Sequence, residues 1–203
     1  MNAGDVEYAY KQAGRLSKAA LLIANALGGE PHAGTASVSS RVLPVVVRTR
    51  DTLACVIQTR TKTSGTDMDL LNPFVTNAAF SLELYLKVLL YIERKTWKSG
   101  HDIHALFRGL SPSSQDFIRG HFTASTKSRA HMDVRTRIRS SPGLEDFDWD
   151  LDALLTNASN AFVQWRYPFQ GGVGWFGGFL ELKEALVDRI EPHLPLTPAD
   201  AAT

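Results

Sequence analysis

Where apolar positions repeat along this chain, they mostly repeat every three to four residues. Over 5–27, Val6, Tyr10, Ala13 and Leu16 are followed by Ala20, Ile23 and Leu27, while Lys11, Arg15 and Lys18 lie mostly off that stripe. The spacing predicts a helix stopped by Gly28-Gly29 and Pro31, then a small, polar loop over 29–40. Residues 41–60, "RVLPVVVRTRDTLACVIQTR", read two ways. Their valines and threonines suit a short β-hairpin near 42–59 turning at "RTRD". A helix opening at Pro44 suits them as well, and the all-helical remainder favours it.

From Asn72-Pro73, a cap and first position, a strongly apolar helix is expected to reach about Lys95. "HDIHALFRGL" predicts a short helix closed by Gly109, and Ser113 to Asp116 has the spacing of a capping box opening the next, to about Phe122. Residues 123–147 read as irregular or partly helical. Asp148 or Asp150 can cap a helix with a stripe of Leu151, Leu154, Leu155, Ala158, Phe162 and Trp165, ended by Pro168. A glycine-rich loop then leads into a last helix over about 176–190. The fold class expected is all-α: a helical core over 71–192, an N-terminal helix and extension over 1–70, and a flexible tail over 193–203.

One stretch breaks the pattern. "AFSLELYLKVLLY" (79–91) is apolar nearly all round, yet carries Glu83 and Lys87. Four apart on a helix, with the acid first, they are neighbours in the favourable order. Either they form a thin solvated stripe, an ordinary pair worth about 0.3–0.5 kcal/mol, or they line a polar pocket completed from elsewhere. His101, Asp102 and Arg166 are the candidates to complete it. In that second reading the charges are buried and need each other and further donors.

Bulk properties narrow the function classes. The 203 residues are 44% hydrophobic and 21% charged, with a formal charge of +1, so there is no global pull towards nucleic acid or an anionic membrane. The single cysteine, Cys55, lies in an apolar run and reads as packing. With acids before any apolar stretch and "AALLIANAL" too short to cross a bilayer, the expectation is a cytoplasmic protein without membrane association. His101, Asp102 and His104 fall short of the ligand set zinc needs, so neither metal nor cofactor is expected.

His101 follows Gly100 at a helix start, where backbone N–H groups favour an anion; it could hold a phosphate, act as a general acid/base, or simply pin the helix. Between 119 and 139, Arg119, Lys127, Arg129, Arg135, Arg137 and Arg139 stand against the one acid Asp133, whereas 145–152 holds five acids and no base. The basic block, with Arg129, Arg135, Arg137 and Arg139 at its centre, either contacts nucleic-acid phosphates or neutralises its acidic neighbour.

Three blocks together resemble the HEPN family of bacterial helical-bundle proteins: "AAFSLELYLKVLL", "SGHDIHALF" and "AFVQWRYPF", in that order over 74–169. The resemblance implies a homodimeric bundle found with nucleotidyltransferases, in toxin–antitoxin pairs and in antiviral defence. Taken with the residues, it leads to the expectation of nucleotide or RNA phosphate as ligand, held between helices by Glu83, Lys87, His101, Asp102, Arg166 and Tyr167. Some members are metal-independent endoribonucleases with an Arg and a His on a late helix. Here no histidine follows Arg166; Arg94 and His101 are the only pair at a comparable separation, and they straddle a helix end. The alternatives are therefore an endoribonuclease using His101 with Arg166 or Arg94, and a non-enzymatic dimeric interaction module.

Overall fold

The computed structural model describes residues 3–27, 68–127, 132, 136, 139–140, 150–159 and 178–194. Among them are six α-helices and no strand: α1 (Ala3–Leu27), α2 (Met68–Arg94), α3 (Ile103–Arg108), α4 (Pro112–Thr126), α5 (Leu151–Ala158) and α6 (Phe179–Ile190), closed by a 3-10 turn at Glu191–His193. The chain is all-α over this part. The hairpin-or-helix segment 41–60, the aromatic run 160–177 and most of 128–149 lie outside the described residues.

Helix α2 is the hub. Phe74, Val75, Ala78, Ala79, Leu82, Tyr85, Leu86, Val88, Leu89 and Leu90 are all buried, which accounts for a sequence apolar on nearly every side. By length and mean hydropathy (1.3) its Pro73–Arg94 portion is long and apolar enough to cross a membrane, but most of it is covered by the other helices. Its start departs from the expectation at Asn72-Pro73: the helix begins a turn earlier, at Met68, and Pro73 lies inside it. Proline lacks one N–H and is tolerated best near a helix start, and Asn77 Nδ2 donates to the Pro73 carbonyl at 2.7 Å.

Helix α1 runs antiparallel along α2. Tyr10 meets Tyr85 edge-on at 5.5 Å between ring centroids, and one turn later Ser81 Oγ donates to the Ala13 carbonyl at 2.9 Å. Small residues permit this approach: Ala13, Ser17 and Ala20 on α1 and Ala78 and Ser81 on α2 are all buried. Tyr10 also donates its hydroxyl to Glu191 Oε1 at 3.0 Å, tying α1 to the turn after α6. Near the start of α2, Phe74 meets Phe179 of α6 in a perpendicular contact at 6.4 Å.

The caps show how the short helices are set. Asp102 caps α3, accepting from Ala105 N at 2.9 Å, and Asp150 caps α5, accepting from Asp152 N and Ala153 N. For α4 the cap is Ser111 rather than Ser113: Ser111 Oγ accepts from Ser114 N, Pro112 takes the first helical position, and the helix runs a turn past Phe122. Helix α6 starts at Phe179, later than expected, because Gly178 turns the chain with a left-handed φ of 69°. A Cβ at Gly178 would sit 2.6 Å from the Phe122 ring, so both backbone and space require glycine there.

Candidate functional site

Helix α2 ends at Arg94; Lys95, with a φ of 54°, swings the chain out, and Gly100, with φ 103°, brings it back into α3. This turn returns His101 to the middle of α2, beside the two charges that interrupt its apolar surface. Glu83 is 1% exposed and Lys87 6%. The thin solvated stripe is thus replaced by a buried pair: Lys87 Nζ donates to Glu83 Oε1 at 2.7 Å. His101 Nδ1 lies 3.0 Å from the same oxygen and 2.9 Å from Oε2. Its side chain remains 48% exposed, so it joins a buried carboxylate to the surface.

This geometry dictates the histidine's donor pattern. A carboxylate only accepts, so Nδ1 carries the proton and, in the neutral ring, Nε2 holds the lone pair. Lys87 has three N–H donors. One goes to Glu83, and among the described residues no second acceptor meets the ammonium. A nearly buried ammonium with a single acceptor among the described residues, next to an oriented and half-exposed imidazole, is an arrangement suited to an anion.

The other expected site residues are placed differently. Asp102 lies beside His101 in sequence, but its carboxylate is committed to the α3 cap. Ile103 N donates to the Ser159 carbonyl at 3.0 Å, so the Ile103 and Ala105 N–H groups at the start of α3 are already bonded. Arg94 is exposed at the far end of α2. Arg139 is exposed as well, while Arg166, Tyr167, Arg129, Arg135 and Arg137 lie outside the described residues. Among the described residues no group of three His, Cys, Asp or Glu side chains converges as a metal site would.

Two polar clusters support the site without having been singled out as such from sequence. In one, Arg119 on α4 grips Asp152 on α5 with both Nε and Nη2 at 3.1 Å, and its guanidinium lies 5.0 Å from the Phe107 ring centroid. The hydrogen bond and charge of Asp152 hold the guanidinium further above its ordinary value. His104 on α3 joins them, with Nδ1 3.3 Å from Thr156 Oγ1 and Nε2 3.8 Å from Asp152. One basic residue of the 119–139 block is therefore paired with one acid of 145–152, as the neutralising alternative would have it.

In the other cluster Glu93, near the end of α2, accepts from Ser111 N and Ser111 Oγ, both at 2.7 Å. Arg189 on α6 donates to Ser114 Oγ at 2.8 Å. Burial alone pushes the Glu93 carboxyl up, but hydrogen bonds from Ser114 and Ser111 and the nearby Arg189 charge outweigh it and hold the group below its ordinary value. These contacts fix the α3–α4 connection and thereby the chain that carries His101 back to α2. The Ser111-Pro112 pair was the readable signal for the cap; Glu93 as its partner, eighteen residues earlier, had none.

Comparison with protein-family models, with curated proteins and with solved structures finds no match to this chain.

Proposed function

We propose that this chain is a HEPN-like helical protein that binds a phosphate-bearing ligand, a nucleotide or RNA, at the Glu83–Lys87–His101 cluster. One observation carries the reading: the buried Lys87 ammonium has a single acceptor among the described residues, Glu83, and the same carboxylate orients a half-exposed histidine. Glu83 cancels the lysine's charge at rest and holds both donors in place. Lys87 and His101 then present N–H groups to a phosphate oxygen, with Arg166 and Tyr167 assigned to the same site by the sequence resemblance. That resemblance also implies a homodimer in a toxin–antitoxin or defence module, with a nucleotidyltransferase or antitoxin as partner; a cytoplasmic location is proposed from the sequence's apolar pattern.

A second reading has its own observation. The Nδ1–carboxylate contact is the arrangement that makes an imidazole a competent general base or acid at Nε2. In this reading the protein is a metal-independent endoribonuclease, with Arg166 or Arg94 stabilising charge on the reacting phosphate.

The two readings separate on one pair of measurements. Under the first, nucleoside monophosphates and short RNAs raise the melting temperature of the wild type but not of Lys87→Met, and RNA stays intact. Under the second, RNA is cut by the wild type and not by His101→Ala. A protein that neither cuts RNA nor is stabilised by either ligand contradicts both.

A further inference from the structure

We infer that two copies of this chain meet through the outer face of α4, antiparallel to each other about a two-fold axis at Gly120. The inference gives a surface to the homodimer of the proposed function and rests on that part of it; the phosphate site plays no role. Helix α4 buries Ser114, Ile118 and Phe122. At about 100° per residue its opposite side is centred on Gly120, with Asp116, Phe117, Thr123, Ala124 and the capping Lys127 all within about 60°. All six are exposed, and Phe117, 40% in solvent, is the large apolar side chain among them. Its ring is held in place rather than left to swing: the Arg189 guanidinium lies 5.5 Å from its centroid and the His121 ring 6.3 Å away. An exposed aromatic already positioned by its neighbours anchors an interface at little ordering cost.

Packing among the described residues does not account for Gly120. Glycine is less favourable than alanine inside a helix, and a Cβ there would meet nothing within 4 Å. At the centre of an exposed face, with Ala124 one turn on, the missing side chain lets a second backbone come close. The face is also its own complement. An antiparallel two-fold at Gly120 sets residues before the glycine opposite those after it, on the same side of the contact. Phe117, three before, then covers Ala124 of the second copy, four after, and fills the gap beside the glycine. Asp116, four before, faces Thr123 and Lys127 of the second copy, so acid meets base twice by symmetry. A parallel pairing would set Asp116 against Asp116 and Lys127 against Lys127. Both the charges and the apolar fit therefore select a second copy of this chain in the antiparallel register.

Sedimentation velocity of the full chain over a wide range of concentrations tests this. The wild type should pass from monomer to dimer as concentration rises. Gly120→Glu points into open space in the monomer but sets two carboxylates against each other at the axis. It should stay monomeric with an unchanged helical circular-dichroism spectrum, and Phe117→Ser should do the same. Lys127→Asp should weaken dimerisation by about tenfold, and Asp116→Lys/Lys127→Asp should recover most of that loss. A wild-type dimer left intact by Gly120→Glu and Phe117→Ser overturns the inference, and the homodimer then stands on another surface. A wild type that is monomeric throughout overturns both and leaves the face to a different protein, while the phosphate site keeps its own melting-temperature test. A double exchange as weak as Lys127→Asp alone breaks the antiparallel register and equally overturns the inference.

Discussion

His101 and Glu83 are eighteen residues apart, yet Nδ1 of the one lies 2.9 Å from Oε2 of the other. The contact ties an exposed turn to a carboxylate in the middle of the most buried helix. Glu83 stands between two positive or potentially positive groups and is the residue on which the cluster depends.

Removing one charge of the buried pair should cost far more than removing both. Glu83→Leu or Lys87→Met leaves a buried charge without its partner, at a cost of about 3–5 kcal/mol. The double variant replaces the pair by apolar side chains in a largely apolar setting and should recover much of that loss. Denaturant unfolding of the four proteins measures the coupling; additive single effects would contradict a buried, mutually dependent pair.

Stability should decline in acid partly through Glu93. Its folded-state carboxyl is held below the ordinary 4.5, so its contribution is fully present above that value and is lost as pH falls through the folded one. The advantage of the wild type over Glu93→Gln should therefore be largest near neutral pH and shrink below about pH 4.5. A difference that stays constant down to pH 3 would show that the Ser111 and Ser114 contacts do not discriminate the carboxylate.

At the alkaline end the sign is reversed. Burial, helped by the Glu191 charge, raises the Tyr85 hydroxyl from 10.0 to about 12. Tyr10 moves the same way, through burial first and then its hydrogen bond to Glu191. The unfolded chain ionises these phenols first, so stability should fall as pH rises from about 10 to about 12. Tyr85→Phe, unfolded across that range, should show a shallower decline than the wild type. An identical slope would place Tyr85 in contact with water.

Gly178→Ala should destabilise the protein by about 2 kcal/mol or more, since it combines a left-handed backbone with overpacking. The added methyl would meet the Phe122 ring at 2.6 Å and Leu154 at 3.2 Å. Shortening the obstacle in Gly178→Ala/Phe122→Leu should ease the steric part and leave the backbone part. Thermal unfolding of the three proteins reads this directly, and a wild-type melting temperature for Gly178→Ala would refute the placement.

Local features of this fold were readable in the sequence, and distant ones were not. The stripe from Val6 to Leu27 and the Asp150 cap lie within a turn or two of the structure they specify. Pro73 and Gly178 misplaced two helix starts, because a proline can enter an early helical turn and a left-handed glycine can delay one. Glu83 and Lys87 were visible as neighbours on one face, but their burial depends on what packs over α2, which an i,i+4 spacing does not contain. His101 could be named as a candidate, whereas its facing of Glu83 through Nδ1 follows from the turns at Lys95 and Gly100. Arg119 with Asp152, thirty-three residues apart, and Arg189 with Ser114, seventy-five apart, arise from helix packing alone.

The central claim is that His101 and Lys87 together receive a phosphate, and the side-chain nitrogens of His101 report on it most directly. Six histidines make the long-range 1H–15N spectrum tractable, and His101→Gln assigns the signal. On titration with adenosine monophosphate near neutral pH, the side-chain nitrogen signals of His101 should shift, and Lys87→Met should weaken the response. If His101 is unmoved by saturating nucleotide and by short RNA, the cluster is not a phosphate site and the account fails.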